Sequence, residues 1–249
     1  MTIQKLGGIT PQIEGHEDVP CRECGTIVRW PKEILAWLTE RAVVCDPCID
    51  KFERSDPNSK HAKRCDSFEA YCPKLYKTIL EKELPERMSE IVRTWTPLGG
   101  RGLLIHGPSG TYKTTTMWSV VKKQWIEYNR RATVVSAVEL SREIASSFDR
   151  KHGYEDLSNR YSNALLLCID DLGKERMTPR VEEAIFEISN VRFERKSPTI
   201  FTTNFVGESL QNRFIDEETG KAFVRRVRDY MDIRSSITQA EQTEMNINA

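Results

Sequence analysis

From about Arg101 to about Ile233, short apolar runs alternate with longer stretches whose apolar residues recur every three or four positions. Residues 103–106 (LLIH) have strand length and character, and 113–128 follow as a helix. Residues 133–136 (TVVS) are β-branched and predict a second strand, with a helix over 138–148 behind it. A buried strand is predicted over 165–169. Thr178 and Pro179 then supply an N-cap and a first-turn proline for a helix whose apolar face is Val181, Ile185, Ile188 and Val191. Residues 199–203 predict another strand and 222–230 a last helix. Strands and helices alternating in this order imply a mostly parallel sheet with helices on both faces, an α/β fold.

Ahead of this core the pattern weakens. Residues 73–95 are helical in period but broken at Pro85, which predicts two short helices. The polar segment before them reads as a connection. At 249 residues the chain can bury one α/β domain and a small module. No apolar run reaches membrane-spanning length and no export signal opens the sequence, so a cytoplasmic protein is expected. Basic and acidic side chains number 37 each. A protein that coats duplex DNA normally carries a basic excess, so any nucleic-acid contact must come from local patches or a surface shared among subunits.

The chemistry sits where strand meets helix. Residues 107–114 read GPSGTYKT. A phosphate loop works because successive backbone N–H groups at the positive end of a helix surround the phosphates. A lysine then reaches the terminal phosphates, and a hydroxyl holds magnesium. Gly107, Pro108, Ser109, Gly110, Thr111, Tyr112, Lys113, Thr114 and Thr115 are the expected ATP-binding set, with Lys113 on phosphate and Thr114 on magnesium. Tyr112 stands where a glycine is usual, putting a side chain at the tightest curl. Residues 165–171 (LLLCIDD) form a hydrophobic strand ending in two carboxylates. One can hold magnesium through water and the next can orient the attacking water, so Asp170 is assigned to the metal and Asp171 to the water.

With GPSGTYKT come LLLCIDDLGKE, SPTIFTTN and FVRRVRDY, in this order and spacing. Together, over roughly residues 73–233, they resemble the DnaC/IstB-like branch of the AAA+ ATPases, which holds helicase loaders, some of them phage-encoded, and transposition helpers. The resemblance implies an AAA+ core and places Asn204 as the polar sensor of the γ-phosphate. It makes Arg226, in preference to Arg225, the arginine finger that reaches a neighbouring subunit's nucleotide. By pattern alone, Arg225, Arg226 and Arg228 are a solvated basic helix face. The resemblance also implies an ATP-dependent homo-oligomer, and the short stretch after Arg226 implies a core without a C-terminal lid.

Seven cysteines in a chain expected in a reducing compartment are read for metal first. Cys21-x-x-Cys24 and Cys45-x-x-Cys48 have the spacing of a tetrahedral zinc site with four thiolate ligands; buried or redox-active pairs are the alternative. Arg22, Arg29, Trp30, Lys32 and Trp37 offer charge and aromatic faces to single-stranded DNA, while Ile34, Leu35, Trp37 and Leu38 suit packing on the zinc knuckles. Cys65 and Cys72, with His61 nearby, match no metal spacing, and Cys168 reads as packing. The chain then divides into a flexible lead-in (1–18), a zinc module (19–52), a linker (53–72), the AAA+ domain (73–233) and a polar tail (234–249). Three functions fit. The first is a replication accessory ATPase that loads a replicative helicase onto single-stranded DNA. The second is a transposition helper on duplex DNA, and the third a non-hydrolysing adaptor that binds ATP and zinc.

Overall fold

In a computed structural model of the protein, residues 16–21, 23–31, 47–48, 51, 56, 59–80, 84–97 and 101–237 are described. Two units divide the chain, Met1–Asp66 and Ser67–Ala249. In the first, strands β1 (His16–Pro20) and β2 (Ile27–Pro31) pair antiparallel, from His16 opposite Pro31 to Pro20 opposite Ile27.

The second unit is built on a five-stranded parallel sheet. Its strands are β3 (Gly102–His106), β4 (Ala132–Ser136), β5 (Leu166–Leu172), β6 (Thr199–Thr203) and β7 (Met231–Ser235), in the order β4-β5-β6-β3-β7. Side chains alternate across the pleat, so β3, β4, β5 and β6 each feed two cores. Leu104, Leu167, Ile169 and Phe201 enter one face, while Leu103, Ile105, Leu166, Cys168 and Ile200 enter the other.

Helices α1 (Lys60–Tyr71), α2 (Lys74–Ile79), α3 (Glu86–Thr94) and α4 (Lys113–Tyr128) come first in the chain. Phe68, Met88, Ile91, Trp118 and Trp125 from this set join the second core. Lys123 donates to the Val92 and Arg93 carbonyls at 2.9 Å each, closing the open end of α3 against α4. The opposite core takes α5 (Ala137–Ser147), α6 (Gly153–Ser162), α7 (Pro179–Glu194) and α9 (Glu217–Tyr230), with the one-turn α8 (Glu208–Gln211) between β6 and α9.

Most predicted elements stand where the pattern put them. Pro85 separates α2 from α3, and Thr178 caps α7 by accepting from the Val181 N–H. Four differences stand out. Residues 60–71, expected within the linker, are helical, because Phe68 and Cys72 bury against α4 and outweigh their polar neighbours. Helix α9 begins at Glu217, five residues before the predicted start, since the Asp216 carboxylate accepts from the Thr219 N–H at 2.7 Å. Helix α6 fills a stretch with no prediction. The chain from residue 234 was expected to be a tail, yet Arg234 and Ser235 pair with β3, and Ser236 and Ile237 are buried. Among the described residues no helix is long and apolar enough to cross a membrane.

Candidate nucleotide site and cysteine cluster

Strand β3 delivers the chain to the phosphate loop. The Gly107 N–H donates to the Thr203 carbonyl of β6 at 3.2 Å, so the loop leaves the sheet from a fixed point. Pro108, Ser109 and Gly110 form its exposed crown. Gly110 has φ +78° and open space where a Cβ would be, which suits a loop whose N–H groups face a ligand. Tyr112 caps α4 with φ 62°, in the left-handed region. A non-glycine residue there costs about 1–2 kcal/mol. The cost is offset by its ring, which packs beside the core that holds Trp118 and Met117. The departure seen in the sequence is therefore a backbone fact: the tyrosine keeps the glycine's conformation.

Lys113 opens the sixteen-residue helix α4 and is 5% exposed. Its ammonium donates to the Pro108 carbonyl, and burial lowers its pKa, the carboxylate of Asp171 opposing that shift. Thr114 donates to both oxygens of Asp170, at 2.9 and 3.1 Å. Thr115, half-buried, follows on the same turn.

The carboxylate pair does not end β5, which runs on to Leu172. Pairing of β5 with β6 shifts register between Ile169 and Leu172, and Asp171 takes φ 60° in that irregularity. The bulge turns consecutive carboxylates apart. Asp170 lies under Thr114 and Thr202, and burial raises its pKa against the lowering effect of both hydroxyl donors. Asp171 reaches outward to Lys174, 2.9 Å from its Oδ1. Thr202 was passed over in the sequence although it closes this corner: it donates to Asp170 and accepts from the Asp171 N–H at 2.9 Å. Its signal was slight, one of three threonines on a buried strand. Lys174 was likewise passed over.

Asn204 follows β6, and its Oδ1 is buried without a hydrogen-bond partner among the described residues. An unsatisfied buried acceptor just past β6, the strand paired with β5, fits a site completed by a ligand or water. The site's donors to a cation are hydroxyl and carboxylate oxygens, the set a hard divalent ion takes. Arg226 stands apart from this cluster. It lies on α9 against α7, with Nη1 donating to Asn190, Glu194 at 4.0 Å and the Phe186 ring 5.5 Å below. Arg225 and Arg228 are exposed.

In the N-terminal unit the sulfurs of Cys21, Cys24 and Cys48 lie within 4.8 Å of one another. The Gly25 N–H donates to the Cys21 carbonyl and the Cys21 N–H to the Thr26 carbonyl, both at 2.8 Å, and Gly25 takes φ +74°. This tight turn brings the first pair of thiols to one point. Three converging thiols are the donor chemistry of zinc. Cys45, Trp37, Lys32 and Arg22 fall outside the described residues. His61 Nδ1 and Cys65 Sγ lie 3.7 Å apart, and Cys168 is wholly buried with its thiol pKa raised by burial.

No family model matches the chain. The replicative helicase loader DnaI of Bacillus subtilis (strain 168) is 26% identical over 138 residues, which span 55% of this chain and 44% of that relative. A crystal structure of the DnaC helicase loader superposes with a TM-score of 0.56 at 21% identity, covering 66% of this chain and all of that one. A crystal structure of DnaI gives 0.55 at 20% identity, over 67% of this chain and 95% of its own. The chain thus has the AAA+ P-loop NTPase fold, and among the proteins it resembles are a replicative helicase loader in sequence and a helicase loader in structure.

Proposed function

We propose that this protein is an ATP-binding and ATP-hydrolysing accessory factor of DNA replication, a loader that acts on a replicative helicase and single-stranded DNA. The observation that carries the reading is the corner where Thr114, Asp170 and Thr202 share hydrogen bonds beside Lys113, in a chain similar to helicase loaders. Residues 107–115 would hold the phosphates through loop N–H groups and the Lys113 ammonium, while Thr114 and Asp170 would hold magnesium. Bound magnesium would neutralise charge on the phosphates. Asp171 would orient water, and Asn204 would accept from that water through its unsatisfied Oδ1 or donate to the γ-phosphate through its amide nitrogen. Arg226 would serve a neighbouring subunit, from a helix face where Asn190 already steadies its guanidinium. Cys21, Cys24 and Cys48, with Cys45 as fourth ligand, would bind zinc.

The test is ATP turnover with and without single-stranded DNA, beside Lys113→Ala, together with ATP-dependent co-purification with a replicative helicase. Turnover lost in the variant and helicase retained with ATP are the expected results. Absence of helicase capture would refute the loader role. One observation favours a second reading, a non-hydrolysing ATP-bound adaptor: the left-handed Tyr112 puts a bulky side chain at the curl of the loop. Nucleotide binding with no turnover would decide for it.

A further inference from the structure

The end of β7 lies against the phosphate loop. Ser236 is 4% exposed, and its N–H donates to the His106 carbonyl at 2.7 Å, carrying the β3–β7 pairing one residue past the strand. Its hydroxyl lies 2.6 Å from Thr111 Oγ1. Thr111 is 1% exposed and gives its own proton to the Pro108 carbonyl at 2.7 Å. Each hydroxyl has one proton, and Ser236 also has the Ile237 carbonyl within reach, at 3.3 Å; the shorter bond of Thr111 to Pro108 keeps the threonine proton there and makes Ser236 the donor of the pair. The Pro108 carbonyl is also the acceptor of the Lys113 ammonium. One path of hydrogen bonds therefore runs from Ser236 through Thr111 to the group on which the phosphate lysine rests.

A second contact is steric. A Cβ on Gly107 would lie 1.9 Å from Ser236 Oγ, so the first residue of the loop fits only as glycine while Ser236 is in place. The loop is gripped at Gly107 and Thr111 by one side chain from the far end of the domain sequence. Strand β7 follows α9 without an intervening loop, and the Arg87 guanidinium holds its last residue by donating to the Ser235 hydroxyl. Ser236 is therefore carried on a fixed support.

We propose that Ser236 is a positioning residue for nucleotide binding, acting through Thr111 and Gly107 to set the curl of the phosphate loop; this rests on residues 107–115 being the nucleotide site. A buried hydroxyl pair of this kind corresponds to about a five- to tenfold change in affinity. The experiment is a double-mutant cycle in the full chain. Ser236→Ala, Thr111→Ala and the double variant are compared for the Kd of a fluorescent ATP analogue with magnesium, and for the thermal midpoint without nucleotide. Each single change should weaken binding about five- to tenfold, with the double variant no weaker than the worse single. A structural role would lower the midpoints without coupling the affinities. Wild-type affinity in Ser236→Ala, or losses that simply add, would overturn the proposal. Lys113→Ala separates the two levels. If it binds as tightly as wild type, the nucleotide reading itself fails; if only it loses binding, Ser236 alone has been misassigned.

Discussion

At the phosphate loop, the groups that fix the backbone are buried among other protein atoms: Thr111, Lys113 and Ser236 are each 5% exposed or less. In the cysteine hairpin, Ile27 is 60% exposed, and among the described residues of that unit Cys21 is buried while Cys24 is exposed. The loop takes its shape from a sheet with a core on each face. The hairpin has hydrogen bonds and three sulfurs. A site with a core beneath it tolerates an ill-suited residue such as Tyr112, because packing offsets local strain. A hairpin whose described residues bury little apolar surface gains most from a cross-link. Each region can be broken by removing what holds it.

The largest effect is expected at the cysteines. The purified protein should contain about one zinc per chain by elemental analysis. A strong chelator, or Cys24→Ser, should release it and expose residues 16–31 to protease, since structural zinc contributes on the order of 10 kcal/mol to such units. Full protection without metal would remove the contrast between the regions.

Next comes Lys113→Ala, which should weaken ATP binding at least ~100-fold, about 2.7 kcal/mol, measured by the loss of nucleotide-induced thermal stabilisation.

Asp170→Asn should separate binding from stability. Burial raises the Asp170 pKa, so its charge at neutral pH opposes folding, and that penalty disappears as pH falls through the folded-state value. The variant should melt about 2–4 °C higher than wild type without nucleotide at pH 7, and lose the stabilisation by ATP and magnesium. Its advantage should shrink as the buffer is made more acidic. A variant less stable than wild type at pH 7 would show that the two hydroxyl donors outweigh burial.

The smallest effect concerns Tyr112. Both Tyr112→Ala and Tyr112→Gly lose the ring, but only glycine adopts φ 62° without strain. The glycine variant should be the more stable by about 1 kcal/mol in denaturant unfolding. Equal stabilities would mean that the backbone leaves the left-handed region once the ring is gone.

Much of the core was legible beforehand. Residues 103–106, 113–128 and 199–203 read correctly because apolar period and length are local properties, and Thr178-Pro179 marked a helix start by capping chemistry alone. Residues 60–71 were misread because three or four apolar side chains among many charges look like solvent-exposed chain until a partner surface exists. Phe68 finds one only where Trp118 and Trp125 rise from α4. The segment from 234 to 237 was misread for the same reason, since its pairing partner β3 lies more than a hundred residues earlier.

By itself the sequence determined the order of strands β3 to β6, a glycine-bearing loop with its lysine and hydroxyl, the two carboxylates and the cysteine spacing. Each of these depends on neighbours close along the chain. Tertiary structure alone decided that Thr202 closes the Asp170 corner, that a bulge sends Asp171 toward Lys174, and that Ser236 grips the loop at Gly107 and Thr111. These contacts join positions far apart in sequence, and a serine or threonine carries no local mark of the strand that will lie beside it once the sheet has formed.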